Sequence, residues 1–287
     1  MTVNQWVLTV VAILAALTAT PAMATSACGN RSDLGEGSRL AIVGLTADQR
    51  LVQFQECKPD RLYEIGRVYR LRSSDTALVG IDFRVQNGQL YGVGNGGGVY
   101  TINTYTAEAT LVSQLTTGLE GTFFGVDFNP AADRLRLTSD TGQNLAHNVN
   151  PGGTTAVNTV LNYPAPVNLN PATGVTRAAY TNNDLSNTTG TTLFDIDTVL
   201  NQVAIQSPPG QGALVAVGSL TVDPDTPVGF DIYTDLRKGV AVNNRAFASL
   251  VVGGVTGFYR INILTGQGLL IGTFADAVID IAIPLNQ

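Results

Sequence analysis

The sequence predicts an all-β fold, a five-bladed β-propeller, and three observations carry that expectation. First, a short word recurs: Gly80-Ile81-Asp82-Phe83, Gly125-Val126-Asp127-Phe128 and Gly229-Phe230-Asp231-Ile232, with degenerate copies at Ala178-Ala179-Tyr180-Thr181 and Val278-Ile279-Asp280-Ile281. Second, the copies start at 80, 125, 178, 229 and 278, in steps of 45, 53, 51 and 49 residues. Third, each period reads as several short strands divided by turn residues, with no sustained helical periodicity. Four short strands in every ~45–50 residues is the pattern of a propeller blade.

Composition bounds the function. Of 287 residues, 44% are hydrophobic and 13% charged, roughly half the usual ~25% charged. Such a chain can bury a large core and is not disordered. A net charge of −6 and a pI near 4.7 exclude a nucleic-acid partner, which needs a basic patch to meet phosphates. The single histidine, His147, excludes a poly-His metal cage and leaves at most one Ser-His-Asp triad.

Residues 1–24 read as a signal peptide. Residues 6–17 are apolar except Thr9, too short a run for a membrane span of ~20 residues, and Pro21 then Ala22-Met23-Ala24 form an A-x-A cleavage site. The segment lacks Lys and Arg before its apolar run, so an uncleaved anchor is the rival reading. After cleavage no further run is long enough to span a membrane, and the expected location is secreted, periplasmic or cell-surface. Residues 25–39 form an N-terminal tail of turn-like composition. Cys28 and Cys57 are an even pair in an oxidising compartment, which points to one disulfide contributing ~3 kcal/mol. A lipidated Cys28 is the alternative, although Thr25-Ser26-Ala27 lack the large apolar residue that signal wants.

Residues 40–287 are expected to form one domain. Leu40-Ala41-Ile42-Val43, Leu51-Val52-Gln53-Phe54 and Leu62-Tyr63-Glu64-Ile65 supply three strands before the first complete period. Residues 279–283 supply one strand after the last. Three plus one makes a blade built from both chain ends, which closes the ring and removes exposed sheet edges. In the next period the strands lie at 89–93, 98–103 and 109–112, separated by Asn87-Gly88 and Asn95-Gly96-Gly97. Asn-Gly between apolar runs is a strong hairpin signal, because both residues tolerate positive φ. Tyr100-Thr101-Ile102-Asn103 and Tyr259-Arg260-Ile261-Asn262 are the same strand in two copies, and Leu193-Phe194-Asp195-Ile196-Asp197 reads as a looser third. Six blades, with one hidden in the longer periods, is the alternative count; a β-sandwich ranks third.

Several words together resemble a secreted bacterial family called domain of unknown function 4394. They are Phe128-Asn129-Pro130, Asp133-Arg134-Leu135-Arg136, Ser139-Asp140-Thr141-Gly142-Gln143-Asn144, Ala179-Tyr180-Thr181-Asn182-Asn183 and the Gly-x-Asp words above. The resemblance covers residues 40–283 and implies an exported, propeller-like domain. It implies no reaction and brings no catalytic residues.

If the repeated word is the innermost strand of each blade, Asp82, Asp127, Tyr180, Asp231 and Asp280 ring the central axis. Crowded carboxylates raise one another's pKa or hold a hard cation such as calcium, and paired ones serve glycoside hydrolysis. The plainer reading is architectural, since a residue repeated in nearly every blade serves to build the blade, whereas a catalytic pair needs asymmetry. A second polar-ligand segment holds Arg134, Arg136, Asp140 and Asn144; paired arginines bind carboxylate or phosphate bidentately, and an inter-blade ion pair is the structural alternative. His147 reads as a surface residue, Asn182-Asn183-Asp184 as a loop, and Asp195 and Asp197 as solvent-facing. The run 94–98 has no following Lys-Ser/Thr and is not a phosphate loop. Trp6, the sole tryptophan, leaves with the signal, which lowers a sugar-stacking reading while leaving tyrosine available. These features point to an exported, non-enzymatic binding or structural module whose partner is a protein or polysaccharide surface. No metal or cofactor motif is assigned, with calcium the one ion the aspartates would suit. The alternative is a glycoside, lactone or ester hydrolase working through the axial aspartates.

Overall fold

The first strand of the ring pairs with the last. In the computed structural model, which describes residues 40–287, β1 (Ala41–Thr46) lies antiparallel to β20 (Val278–Ala282), with Val43 opposite Ala282 and Leu45 opposite Asp280. β2 (Arg50–Gln55) and β3 (Lys58–Arg67) complete this first blade in the order β20-β1-β2-β3. The three-plus-one closure expected from the sequence is therefore present.

The other four blades are continuous in the chain. Blade 2 is β4 (Leu78–Phe83), β5 (Leu90–Gly94), β6 (Gly98–Ile102) and β7 (Ala109–Gln114). Blade 3 is β8 (Phe124–Asn129), β9 (Arg134–Ser139), β10 (Asn144–His147) and β11 (Thr155–Val157). Blade 4 is β12 (Val175–Tyr180), β13 (Leu193–Asp197), β14 (Gln202–Gln206) and β15 (Leu214–Ser219). Blade 5 is β16 (Asp225–Arg237), β17 (Val240–Val252), β18 (Val255–Ile261) and β19 (Gly268–Thr273). The count is five, not six. Among the described residues the only helical turn is the 3-10 turn Pro209–Gln211, and no helix is long and apolar enough to cross a membrane. The signal segment 1–24, the tail 25–39 and Cys28 lie outside the described residues; Cys57 stands in the turn between β2 and β3.

The repeated words are the innermost strands. β4, β8, β12, β16 and β20 touch in that order and β20 returns to β4. The turns fall where the Asn-Gly clusters stand, but a glycine alone takes the positive φ in each: Gly88 at +66° between β4 and β5 and Gly97 at +85° between β5 and β6, with Asn87, Asn95 and Gly96 outside that region. One expectation needs correction. Leu193–Asp197 is the second strand of its blade, with Asp195 opposite Ala178 on one side and Ala204 on the other. Its alternation of apolar and polar residues copied a third strand, but pairing partners, not local pattern, set strand order.

Four of the five blade interfaces are apolar. Val43, Leu51, Ile81 and Phe83 pack between blades 1 and 2, and Tyr91, Val93, Phe128 and Leu137 between blades 2 and 3. Phe194, Ile196, Phe230 and Ile232 pack between blades 4 and 5. Between blades 5 and 1, Phe247 stacks on Phe258 at 5.4 Å and Phe54 meets Phe258 edge-on at 5.1 Å, pairs that contribute ~0.5–1.5 kcal/mol each beyond area burial. The interface between blades 3 and 4 is different: buried Arg136, Thr138 and Asn144 face buried Tyr180 and Asp195 there.

Candidate functional site

Axial aspartates tie four of the five blades to the next; blade 4, whose innermost strand holds no aspartate, is the exception. Asp82 Oδ2 accepts the backbone N–H of Phe128 at 2.7 Å, and its Oδ1 accepts that of Phe83 at 2.7 Å. Asp127 Oδ1 accepts the N–H of Tyr180 at 3.0 Å. Asp231 Oδ2 accepts the N–H of Ile283 at 2.6 Å and its Oδ1 that of Ile232 at 2.5 Å. Asp280 Oδ2 accepts the N–H of Ile81 at 2.9 Å. Every bond named here that leaves its own strand reaches the innermost strand of the next blade or the residue following it.

These contacts assign levels along the axis. Asp82 bonds the residue after Asp127, Asp127 the residue after Ala179, and Asp231 the residue after Ala282. Asp82, Asp127, Ala179, Asp231 and Ala282 therefore form one level. Tyr180 is one residue past its slot: it lends its backbone N–H to Asp127, while its hydroxyl meets Arg136 Nε at 3.3 Å between blades 3 and 4. Asp280 belongs one level below, with Gly80, Gly125, Arg177 and Gly229. A Cβ on Gly80 would lie 3.1 Å from Asp280 Oδ2, and one on Gly229 would lie 2.7 Å from the Asp280 backbone. The glycine of the repeated word is thus needed for close approach, not for turning.

Arg177 fills the lower level. Its Nε lies 3.3 Å from Asp280 Oδ1, with both side chains 3% exposed. Its two terminal nitrogens donate to the carbonyls of Phe124, Thr176 and Ile279 at 2.5, 2.7 and 2.8 Å. One guanidinium therefore spans three blades. The sequence reading missed Arg177, because nothing in residues 177–181 says which of them fills the glycine slot.

The upper level concentrates negative charge. Asp82, Asp127 and Asp231 each offer a carboxylate oxygen within 4.8 Å of the others, and all three are buried. Burial, then the neighbouring aspartates, pushes the Asp82 and Asp127 carboxyls well above the ordinary carboxylate range. Burial carries Asp231 to about 7, offset by its two backbone N–H donors. Asp280 rises to about 6 for the same reason, with Arg177 pulling it back. Such a trio either shares protons or surrounds a hard cation.

The second polar segment does not assemble. Arg136 is buried and donates to Asn144 Oδ1 at 2.7 Å, Asn158 Oδ1 at 2.6 Å and the Leu145 carbonyl at 3.3 Å. Arg134 is exposed and its side chain bonds, among the described residues, the Ala132 and Asp133 carbonyls alone, so these two arginines form no paired clamp. Asp140 accepts the N–H groups of Thr122 and Phe123, in the loop that leads into β8. His147, expected at the surface, is 0% exposed between Ser113 Oγ and Thr155 Oγ1, each at 3.0 Å. Asp195 and Asp197 are buried rather than solvent-facing: Asp197 holds the Tyr163 hydroxyl at 2.9 Å, while neither Asp195 oxygen has a hydrogen-bond partner among the described residues.

A cleft of about 440 Å³ opens between blades 1 and 2, lined among others by Gln53, Tyr63, Glu64, Phe83, Thr104 and Tyr105. Nothing in the repeat pattern pointed to it, because its walls come from different blades.

The profile of a family described as a domain of unknown function (DUF4394) matches residues 50–282. No curated protein matches the sequence. Among solved structures, the chain is similar to a structural genomics protein of unknown function from Bacteroides thetaiotaomicron, with 12% identity and a TM-score of 0.46 over 87% of this chain and 68% of that one. An auxiliary nutrient binding protein from Bacteroides ovatus has 10% identity and a TM-score of 0.41 over 72% of this chain and 55% of its own. Glutaminyl cyclase from Myxococcus xanthus has 12% identity and a TM-score of 0.40 over 75% of each.

Proposed function

The chain belongs to the domain of unknown function 4394 family, a membership that brings no activity with it, and we propose that it is an exported, non-enzymatic propeller that binds a partner in the envelope space or at the cell surface. One observation supports this reading above others. The aspartates best suited to catalysis are 2–6% exposed and bond the backbone of the next blade. A general acid or nucleophile must reach substrate, and these carboxyls are committed to holding strands. The apolar start of the chain supports export.

A second reading has its own support. Asp82, Asp127 and Asp231 converge within 4.8 Å with raised pKa values, an arrangement that also suits a hydrolase or its calcium ion. The two are separated by assaying the exported chain against chromogenic glycosides, lactones and esters. The binding reading expects no turnover. Turnover that disappears in Asp127→Asn, with the melting temperature preserved, would replace it with the hydrolase reading.

A further inference from the structure

The cleft between blades 1 and 2 has a graded lining. On blade 1, Ala282, Val43, Gln53 and Tyr63 are successive cross-strand partners, a row running from axis to rim. Phe83 and Pro284 close the inner end. Tyr105 stands on the opposite wall, at the tip of the turn between β6 and β7. Asn103 Oδ1 accepts the N–H groups of Tyr105 and Thr106 at 2.8 and 3.1 Å and fixes that turn. The lining thus passes from apolar near the axis, through an amide, to two tyrosines at the rim.

Three features narrow the ligand. Tyr63 is 63% exposed and Tyr105 89%, two large flat side chains flanking one cavity. Aromatic residues at a cleft mouth present an apolar face and a polar tip to a ligand at low entropic cost. The side chains of Gln53 and Thr104 make no hydrogen bond among the described residues, so an amide and a hydroxyl stand free to donate and accept. Glu64 is the sole charged side chain in the lining, and Arg50 Nη1 holds it at 3.2 Å. No basic residue lines the cleft to meet a phosphate or carboxylate. The half-polar lining does not suit an acyl chain. A volume of about 440 Å³ falls within the ~300–1,000 Å³ of small-molecule sites.

We propose that this cleft binds a neutral oligosaccharide, with Tyr63 and Tyr105 stacking on sugar rings and Gln53 and Thr104 bonding their hydroxyls. The proposal rests on the binding reading and names its ligand class. It is tested by saturation-transfer NMR of the exported chain with maltohexaose, cellohexaose and chitohexaose. At least one should receive saturation, with affinity falling about tenfold or more in Tyr105→Ala and in Gln53→Ala. Tyr69→Ala, an exposed tyrosine outside the cleft, should leave affinity unchanged. All three variants sit at exposed positions and should keep the wild-type melting temperature. No transfer to any of the three sugars, or undiminished binding in Tyr105→Ala and Gln53→Ala, overturns the proposal. New reducing-end signals in the same spectra would mark hydrolysis, which overturns the binding reading rather than the location of the sugar.

Discussion

Asp82 Oδ2 accepts the backbone N–H of Phe128 at 2.7 Å and so joins the innermost strand of blade 2 to that of blade 3. Repeated around the axis, this bond makes the carboxylates part of how the ring closes. Asp82→Ala removes the acceptor of two buried N–H groups, those of Phe83 and Phe128, and should cost about 2–4 kcal/mol. Asp82→Asn retains one acceptor and should cost about half of that. Chemical denaturation of both variants checks the order.

The closure of five blades from three strands and one was readable because the repeated words fix a period and the leftovers sum to a blade. The levels along the axis were not. Residues 177–180 hold no aspartate, so the sequence alone offers no way to choose between Ala179 and Tyr180; only the bond from Asp127 to the Tyr180 N–H decides it. The burial of His147 was hidden for a related reason. Its neighbour Ser113 lies in another blade, and a polar residue is buried when another strand supplies its partners.

Arg177→Met should destabilise more than any single axial aspartate change, by about 3–5 kcal/mol. It leaves Asp280 buried without its cation and three carbonyls without donors. Adding Asp280→Asn should recover part of that loss, because the uncompensated charge is gone. A double-mutant cycle from denaturation midpoints measures the coupling, and strictly additive costs would show that the pair does not interact.

Stability should fall as pH rises from 5 to 8. An unfolded aspartate loses its proton near 4, whereas folded Asp231 keeps it to about 7 and Asp280 to about 6. The folded state therefore binds more protons across that window, and raising the pH favours the unfolded chain. For Asp231 alone the loss across that window is on the order of 3 kcal/mol. His147, held neutral by burial, pulls the other way at the acid end. The diagnostic is accordingly the difference between wild type and Asp231→Asn, which should shrink the fall in melting temperature.

Gly229→Ala should destabilise although a β-strand ordinarily welcomes a side chain. The added Cβ would stand 2.5 Å from Ser249 Oγ and 2.7 Å from the Asp280 Cα, and backbone cannot step aside. A cost of about 1–3 kcal/mol is expected, read from thermal melts.

The central claim is that the axial carboxylates hold blades together and do not hold an ion. It is tested most directly by melting the protein and its Asp127→Asn variant at pH 8, first with calcium and then with excess chelator. A cation bound only to the folded state raises stability by ~2.7 kcal/mol at a hundredfold excess over its dissociation constant. The architectural account predicts coincident melts in calcium and chelator for both proteins. A calcium-dependent rise in melting temperature that vanishes in Asp127→Asn would contradict it and place a cation among Asp82, Asp127 and Asp231.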